Sequence, residues 1–307
     1  MHYSRREILE LYGLSGLGLA ITPALLSFNQ NEKMGQRPIH SSGDYLPMVG
    51  IGTWLTFDIG NSQSELEIRK QVLSKMFELG GKTIDSSPMY GSSESVVGKA
   101  SSQLDNQEKF FYATKVWISG KQAGIDQMNS SFKKMKRKTM DLMQIHNLVD
   151  WETHVKTLKS YKESGKIKYW GLTHYVDSAH PTLEKIIKTE KPDFVQFNYS
   201  INSINAEKSL FETCQKNGTS VIINQPFDSG HLFQKIKGKK LPDWISDYDI
   251  NSWGQYFLKF ILSNKNVTCV IPGTSKLKHV IDNMGAGYGK LPDEYGRDKM
   301  LRFLKSL

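Results

Sequence analysis

Short apolar runs recur along this chain, and each is followed by a stretch whose apolar residues return every three or four positions. The runs cover residues 48–54, 83–86, 110–115, 142–146, 169–173, 194–198, 220–224 and 267–271. Each has the length of a buried strand. The helical stretches between them include 65–79, 127–134, 151–164, 183–189, 206–215 and 253–263. Eight such repeats predict a parallel sheet with right-handed crossovers, closed into an α/β (β/α)8 TIM barrel. An open, doubly wound sheet is the alternative. Its usual phosphate fingerprint is missing, because Val49-Gly50-Ile51-Gly52-Thr53-Trp54 does not make a G-x-G-x-x-G. Ahead of the first run, residues 37–40 and 44–47 flank the turn signal Ser41-Ser42-Gly43 and predict a short hairpin.

The first 30 residues break the pattern. Ser4-Arg5-Arg6-Glu7-Ile8-Leu9 resembles a twin-arginine export motif, with Ile8 where Phe is commoner. An uncharged apolar run follows from residue 11 to about residue 28, interrupted by Gly13, Gly16, Gly18 and Pro23. Residues 1–30 are therefore expected to be an export signal, 31–36 a linker and 37–307 the barrel. The expectation brings the twin-arginine machinery as a partner and the periplasm as the location. No clear A-x-A site appears, so cleavage and retention as a membrane anchor both stay open. An amphipathic surface helix on a cytoplasmic protein is the alternative.

Composition changes this picture little. The 307 residues are 38% hydrophobic and 23% charged, which suits one large globular core. The net charge of +9 is moderate. The basic run Lys133-Lys134-Met135-Lys136-Arg137-Lys138 is expected to be a solvated helix face, not a nucleic-acid patch. Two cysteines, Cys214 and Cys269, fit buried thiols better than a disulfide. No metal-ligand spacing is present.

Chemistry in a barrel sits where the strands end. Those ends carry Asp85, with Tyr90 in the loop that follows, then Lys115 in Tyr112-Ala113-Thr114-Lys115, then His146 in Met143-Gln144-Ile145-His146-Asn147. Singly, each has a plain explanation: a rim charge, a loop aromatic, a hydrogen-bonded core histidine. Together, on successive strands, they converge on one mouth.

With these residues in place the chain resembles an aldo-keto reductase. The likeness runs from Gly50-Ile51-Gly52-Thr53-Trp54 through Ile271-Pro272-Gly273-Thr274-Ser275 to Asn283. It implies a catalytic tetrad of Asp85, Tyr90, Lys115 and His146 and an NADP(H)-dependent reduction of a small-molecule aldehyde or ketone, with Tyr90 as the general acid. NAD is the alternative cofactor. The resemblance also places cofactor contacts at Gly52, Thr53, Trp54 and Asp85. On strand ends further along it places them at Thr173, His174, Gln196, Pro226 and Phe227. The 2′-phosphate would meet Pro272, Gly273, Thr274, Ser275, Lys276, His279 and Asn283. Two positions depart from the family. His174 stands where Asn is usual, and Asn224-Gln225-Pro226-Phe227 lacks the usual stacking aromatic unless Phe227 supplies it.

The tetrad has a physical rationale. A tyrosine of pKa about 10 needs help to act as an acid near neutrality. A Lys115 ammonium beside it is expected to lower that pKa, Asp85 to hold the lysine, and His146 to bind the carbonyl oxygen. Trp54, Trp117 and Phe227 are candidate pocket walls. Two other functions remain open. One is a non-catalytic, cofactor-binding redox-sensing subunit; the other is a Schiff-base lyase using Lys115.

Overall fold

The computed structural model describes residues 33–307. The expected export signal and the first part of the linker lie outside the described residues. The rest opens with a hairpin, β1 (Gln36–Pro38) and β2 (Tyr45–Pro47), paired antiparallel around a turn in which Gly43 has φ 79°. Gly43 tolerates that left-handed backbone because it has no Cβ.

Eight parallel strands follow in sequential order: β3 (Ile51–Gly52), β4 (Thr83–Asp85), β5 (Phe111–Val116), β6 (Met140–His146), β7 (Ile167–Thr173), β8 (Phe194–Asn198), β9 (Ser220–Asn224) and β10 (Cys269–Val270). Parallel bridges Val49–Val270 and Gly52–Gly273 join the last strand to the first and close the barrel. A Cβ at Gly52 would stand 2.9 Å from the Ile271 carbonyl oxygen, so this closure requires glycine.

The helices between and after the strands are α1 (Gln63–Glu78), α2 (Ser93–Ser101), α3 (Lys121–Lys134), α4 (Trp151–Glu163), α5 (His180–Glu190), α6 (Leu210–Lys216), α7 (His231–Lys235), α8 (Trp253–Leu262), α9 (Leu277–Gly285) and α10 (Glu294–Lys305). The α3 helix begins six residues before the expected 127, since its first turns are polar and hide the period. The expected helix over 206–215 is broken at Ser209, whose φ of −160° separates a 3-10 turn from α6. The basic run is only half a solvated face. Met135 is fully buried, and Arg137 bonds Glu108 at 2.7 and 2.8 Å while lying 4.5 Å from the Tyr112 ring centre. Both cysteines are free and buried, and burial pushes the Cys269 thiol up to about 12.

Successive strand residues face opposite sides of a sheet. Here the alternation sorts the strands into two cores. Tyr112, Val116, Met143, Ile145, Leu172, Val195 and Val221 pack outward in the core shared with the helices. Phe111, Ala113, Leu142, Tyr169, Phe194 and Ile222 fill the barrel interior. Following the interior parity along each strand leads from Ala113 to Lys115, from Leu142 to Gln144 and His146, from Tyr169 to Thr173, from Phe194 to Gln196 and from Ile222 to Asn224. The interior is therefore apolar at the strand starts and polar at the strand ends.

The hairpin covers the apolar end. Ile39 and Leu46 join the interior cluster, and Tyr169 Oη donates to Asp44 Oδ2 at 2.8 Å. Residues before β1 also pack here: Met34 is buried, and Gly35 N–H donates to the Gly287 carbonyl at 2.9 Å. Arg37 fastens the hairpin by donating to three backbone carbonyls, those of Leu262, Val267 and Asn264, the last at 2.6 Å. Leu262 is the final residue of α8, so the guanidinium meets the negative end of that helix. Burial brings the Arg37 pKa down from 12.5 to about 10, which leaves it charged at neutral pH. Arg37→Ala is expected to lower stability by about 2–3 kcal/mol, the scale of charge-assisted hydrogen bonds, with kcat unchanged because the hairpin lies at the end away from the polar strand ends. Urea unfolding beside steady-state kinetics checks both halves.

Candidate active site

Lys115 is the deepest charge in the molecule's polar layer, with no exposed surface. It donates to Asp85 Oδ2 at 2.6 Å and to the Ser86 carbonyl at 2.7 Å, with Tyr90 as a further electrostatic neighbour. An ammonium has three N–H donors, and these two acceptors leave one on the side of Tyr90. Burial pulls its pKa down, but Asp85 and Tyr90 outweigh that and hold it above the ordinary lysine value. The other carboxylate oxygen of Asp85 accepts from two amides, Gln144 Nε2 and Gln196 Nε2, each at 3.0 Å. Gln196 Oε1 in turn accepts from Thr173 Oγ1 at 3.0 Å and from Asn224 Nδ2 at 3.3 Å. One hydrogen-bonded layer thus links β4, β5, β6, β7, β8 and β9.

Tyr90 stands half-buried above this layer, its ring centre 5.1 Å from Lys115 Nζ. Gly91 has φ 58°, and a Cβ there would stand 2.3 Å from an Asp58 carboxylate oxygen. Asp58 accepts from Ser92 N–H at 2.9 Å and Ser92 Oγ at 2.8 Å. The loop after β3 therefore pins the loop that carries Tyr90. Ser92 immediately precedes α2, but its hydroxyl serves this tie and not the helix end. The tyrosine pKa departs from the expectation. Burial raises it more than the Lys115 charge lowers it, and Asp85 raises it further, so it stays above 10.0.

His146 ends β6 with its ring 5.8 Å from the Tyr90 ring and 6.3 Å from Trp117. Its Nδ1 lies 3.0 Å from Ser87 Oγ. Burial first, then Lys115 and His174, bring its pKa down from 6.5 to about 2. The imidazole is neutral throughout the physiological range.

The structure thus brings Asp85, Tyr90, Lys115 and His146 together. It distributes the other candidates unevenly. Thr53 is fully buried and its hydroxyl is 3.0 Å from the Asp85 carbonyl, so it braces the barrel wall. Trp54 and Trp117 stand half exposed on the rim. His174 Nδ1 accepts from Tyr175 N–H at 2.9 Å, which leaves its Nε2 to carry the proton. Phe227 turns to Phe233 and Phe257, with ring centres at 5.0 and 6.4 Å, and packs on the helical core. Pro226 and Pro272 are buried beside their strand ends. Thr274 Oγ1 accepts from Lys276 N–H at 3.1 Å, with Ser275 beside them, while Lys276 and His279 are exposed at the start of α9 and Asn283 is buried. Gly273 carries the bridge to Gly52.

Sequence reasoning missed Gln144, Ser87 and Lys278. The two-residue spacing of Gln144 before His146 marks it as interior. Lys278 adds a third exposed cation-capable side chain beside Lys276 and His279. Asn224, noted only as a missing aromatic, holds the His174 carbonyl at 3.0 Å, and its Oδ1 is buried with no partner among the described residues.

Comparison with known proteins agrees with this geometry. Residues 48–296 match the Aldo/keto reductase family, and the chain belongs to that family. It is an oxidoreductase whose general chemistry is carbonyl reduction. A methylglyoxal reductase of Escherichia coli K12 is 28% identical over 258 residues, 81% of this chain and 89% of the relative. A candidate voltage-gated potassium channel beta subunit of Schizosaccharomyces pombe is 27% identical over 297 residues, 80% of this chain and 86% of the relative. An aldo/keto reductase of Klebsiella pneumoniae solved with NADP and acetate has a TM-score of 0.72 and 21% identity, covering 85% of this chain and 93% of that one.

The depressed histidine makes a stability prediction. Below pH 6.5 the unfolded chain protonates His146 and the folded chain does not, so stability falls as pH falls through 6.5 and toward 2. Going from pH 7 to pH 5, His146→Asn is expected to lose about 1–2 kcal/mol less than the wild type. Urea unfolding of both at the two pH values measures the difference.

Proposed function

We propose that this protein reduces an aldehyde or ketone with NADPH, Tyr90 giving the proton and His146 binding the carbonyl oxygen. The observation that carries this reading is the buried Lys115–Asp85 ion pair beneath Tyr90, whose ring centre lies 5.1 Å from Lys115 Nζ and 5.8 Å from the His146 ring. An ammonium has donors only, so toward Lys115 the tyrosine oxygen can only accept, and its own O–H is left to donate toward the mouth. As the carbonyl oxygen takes on negative charge, the Tyr90 proton moves to it. Lys115 then stabilises the phenolate, and Asp85 keeps Lys115 charged. A phenol pKa above 10.0 makes the neutral acid form complete at neutral pH. His146, neutral and carrying one proton, donates to the same oxygen and fixes its position. A Schiff-base role would need a neutral Lys115, which two hydrogen bonds, the ion pair with Asp85 and a raised pKa disfavour.

The residues at the mouth fit a nicotinamide dinucleotide. Asn224 Oδ1 is a buried acceptor without a partner among the described residues, and His174 presents a donor beside it. Together they suit the N–H and C=O of a carboxamide, with Thr173 and Gln196 behind them. At the other end of the mouth Ser275, Lys276, Lys278 and His279 offer hydroxyl and cationic groups at the start of α9, which suits the phosphate that distinguishes NADP from NAD. Bound there, the cofactor would supply the hydride.

The rim supports a reading of the substrate class. Trp54, Leu55, Met89, Trp117, Ile118 and Tyr175 are all exposed on loops that follow strand ends. Such a rim favours carbonyls with an apolar or aromatic substituent. The non-catalytic reading draws on likeness to the channel subunit, and turnover decides it. NADPH oxidation against aromatic aldehydes, methylglyoxal and a sugar phosphate should be fastest with the aromatic compounds. Tyr90→Phe should lose roughly a hundredfold or more in kcat, as expected for a missing general acid, with NADPH affinity kept. Near wild-type kcat in that variant would remove Tyr90 from the role.

Export is a separate proposal, resting on Arg5-Arg6 ahead of the uncharged apolar run. The twin-arginine machinery would carry the barrel to the periplasm already folded around NADP, either freed from residues 1–30 or held at the membrane by them. Fractionating a bacterial host that makes the native chain or an Arg5→Lys, Arg6→Lys form tests it. The native form should be exported and the variant retained in the cytoplasm, folded and active. Equal cytoplasmic amounts of both would sink it.

A further inference from the structure

Ser87 is fully buried in the turn between Asp85 and Tyr90, and its hydroxyl faces the ring of His146. Among the described residues, two groups lie within hydrogen-bond reach of that hydroxyl oxygen: Met89 N–H at 3.3 Å and His146 Nδ1 at 3.0 Å. Met89 N–H is a donor only, so the oxygen accepts from it. The hydroxyl proton needs an acceptor, because a buried donor left unmade is costly. His146 Nδ1 is the group in place to accept it. A neutral imidazole has one proton, and accepting at Nδ1 places that proton on Nε2. Ser87 also accepts Tyr90 N–H on its carbonyl at 3.1 Å, so one residue touches both groups that would meet the carbonyl oxygen.

We infer that Ser87 is a positioning residue that selects the Nε2–H form of His146 and so makes the histidine a hydrogen-bond donor to the substrate. The catalytic half of this rests on the reading of His146 given above. The half about the ring proton does not, because it concerns the protein without substrate. The neutral state over the whole working range, caused chiefly by burial, is consistent with it. A histidine that stays neutral can be a donor at only one nitrogen, and the choice of nitrogen decides whether it binds a carbonyl oxygen or repels it.

Nitrogen-15 NMR of the ring in the full chain tests the proton placement. The His146 signals are assigned by their loss in His146→Gln. The wild type should show a protonated Nε2 and an unprotonated, hydrogen-bonded Nδ1, unchanged from pH 8 to pH 5. Ser87→Ala should lose the hydrogen-bonded Nδ1 signature and show a mixture of the two forms, while Ser87→Thr, which keeps the hydroxyl, should retain the wild-type pattern. With an aldehyde substrate, Ser87→Ala should lower kcat about five- to tenfold, the scale of one neutral hydrogen bond, with NADPH affinity unchanged. A wild-type proton on Nδ1 overturns the inference. So does a Ser87→Ala variant that keeps the wild-type ring pattern, or one that changes the pattern and keeps kcat. If no carbonyl compound is turned over by the wild type, the function proposed above fails while the NMR result still decides the proton placement.

Discussion

Lys115 carries a charge at a place with no solvent contact, and the polar end of the barrel is arranged around that fact. Taking an ammonium and a carboxylate out of water costs several kcal/mol for each ion. The cost is offset only if every donor and acceptor finds a partner. Lys115 has the Asp85 carboxylate and the Ser86 carbonyl as acceptors with Tyr90 beside it, and Asp85 accepts from Lys115 on one oxygen and from Gln144 and Gln196 on the other. The two amides bring β6 and β8 into the cluster, and Gln196 carries it on to Thr173 and Asn224. The same cluster that makes the buried charge tolerable sets a cation beside the Tyr90 ring.

The remainder of the fold serves this layer. The interior is apolar from the strand starts to about Ala113 and polar beyond it, so the barrel has one wet end. The hairpin and Arg37 cover the dry end. At the wet end, Asp58 fixes Gly91 and Ser92, which fixes Tyr90 in turn. Ser87 holds both the Tyr90 backbone and the His146 ring. The proposed reduction needs a proton donor and an oxygen-binding donor at one point. Two loops and three strand ends supply them.

Much of this was legible in the chain. All eight barrel strands coincide with the apolar runs, and Phe194–Asn198 and Ser220–Asn224 match to the residue, because fully buried strands read as unbroken apolar stretches. Asp85, Lys115 and His146 were visible because polar residues at the ends of such runs are conspicuous. Polar helix starts were not, as with α3, nor was the break at Ser209. Gln144 and Ser87 were hidden for another reason. Each lies inside or beside an apolar run where a plain structural role is the commoner explanation, and only the packing shows which group each one faces. The direction of the Tyr90 shift was also beyond sequence reasoning, which sees the nearby cation but not how much burial opposes it.

A double-mutant cycle on the buried pair tests the central claim most directly. Unfolding free energies would be measured for the wild type, Asp85→Asn, Lys115→Met and the double variant. The account predicts that each single variant loses about 3–5 kcal/mol by stranding a buried charge, and that the double variant loses clearly less than the sum. Single losses under about 1 kcal/mol that simply add would contradict it, since a pair worth that little behaves like one exposed to water and organises nothing.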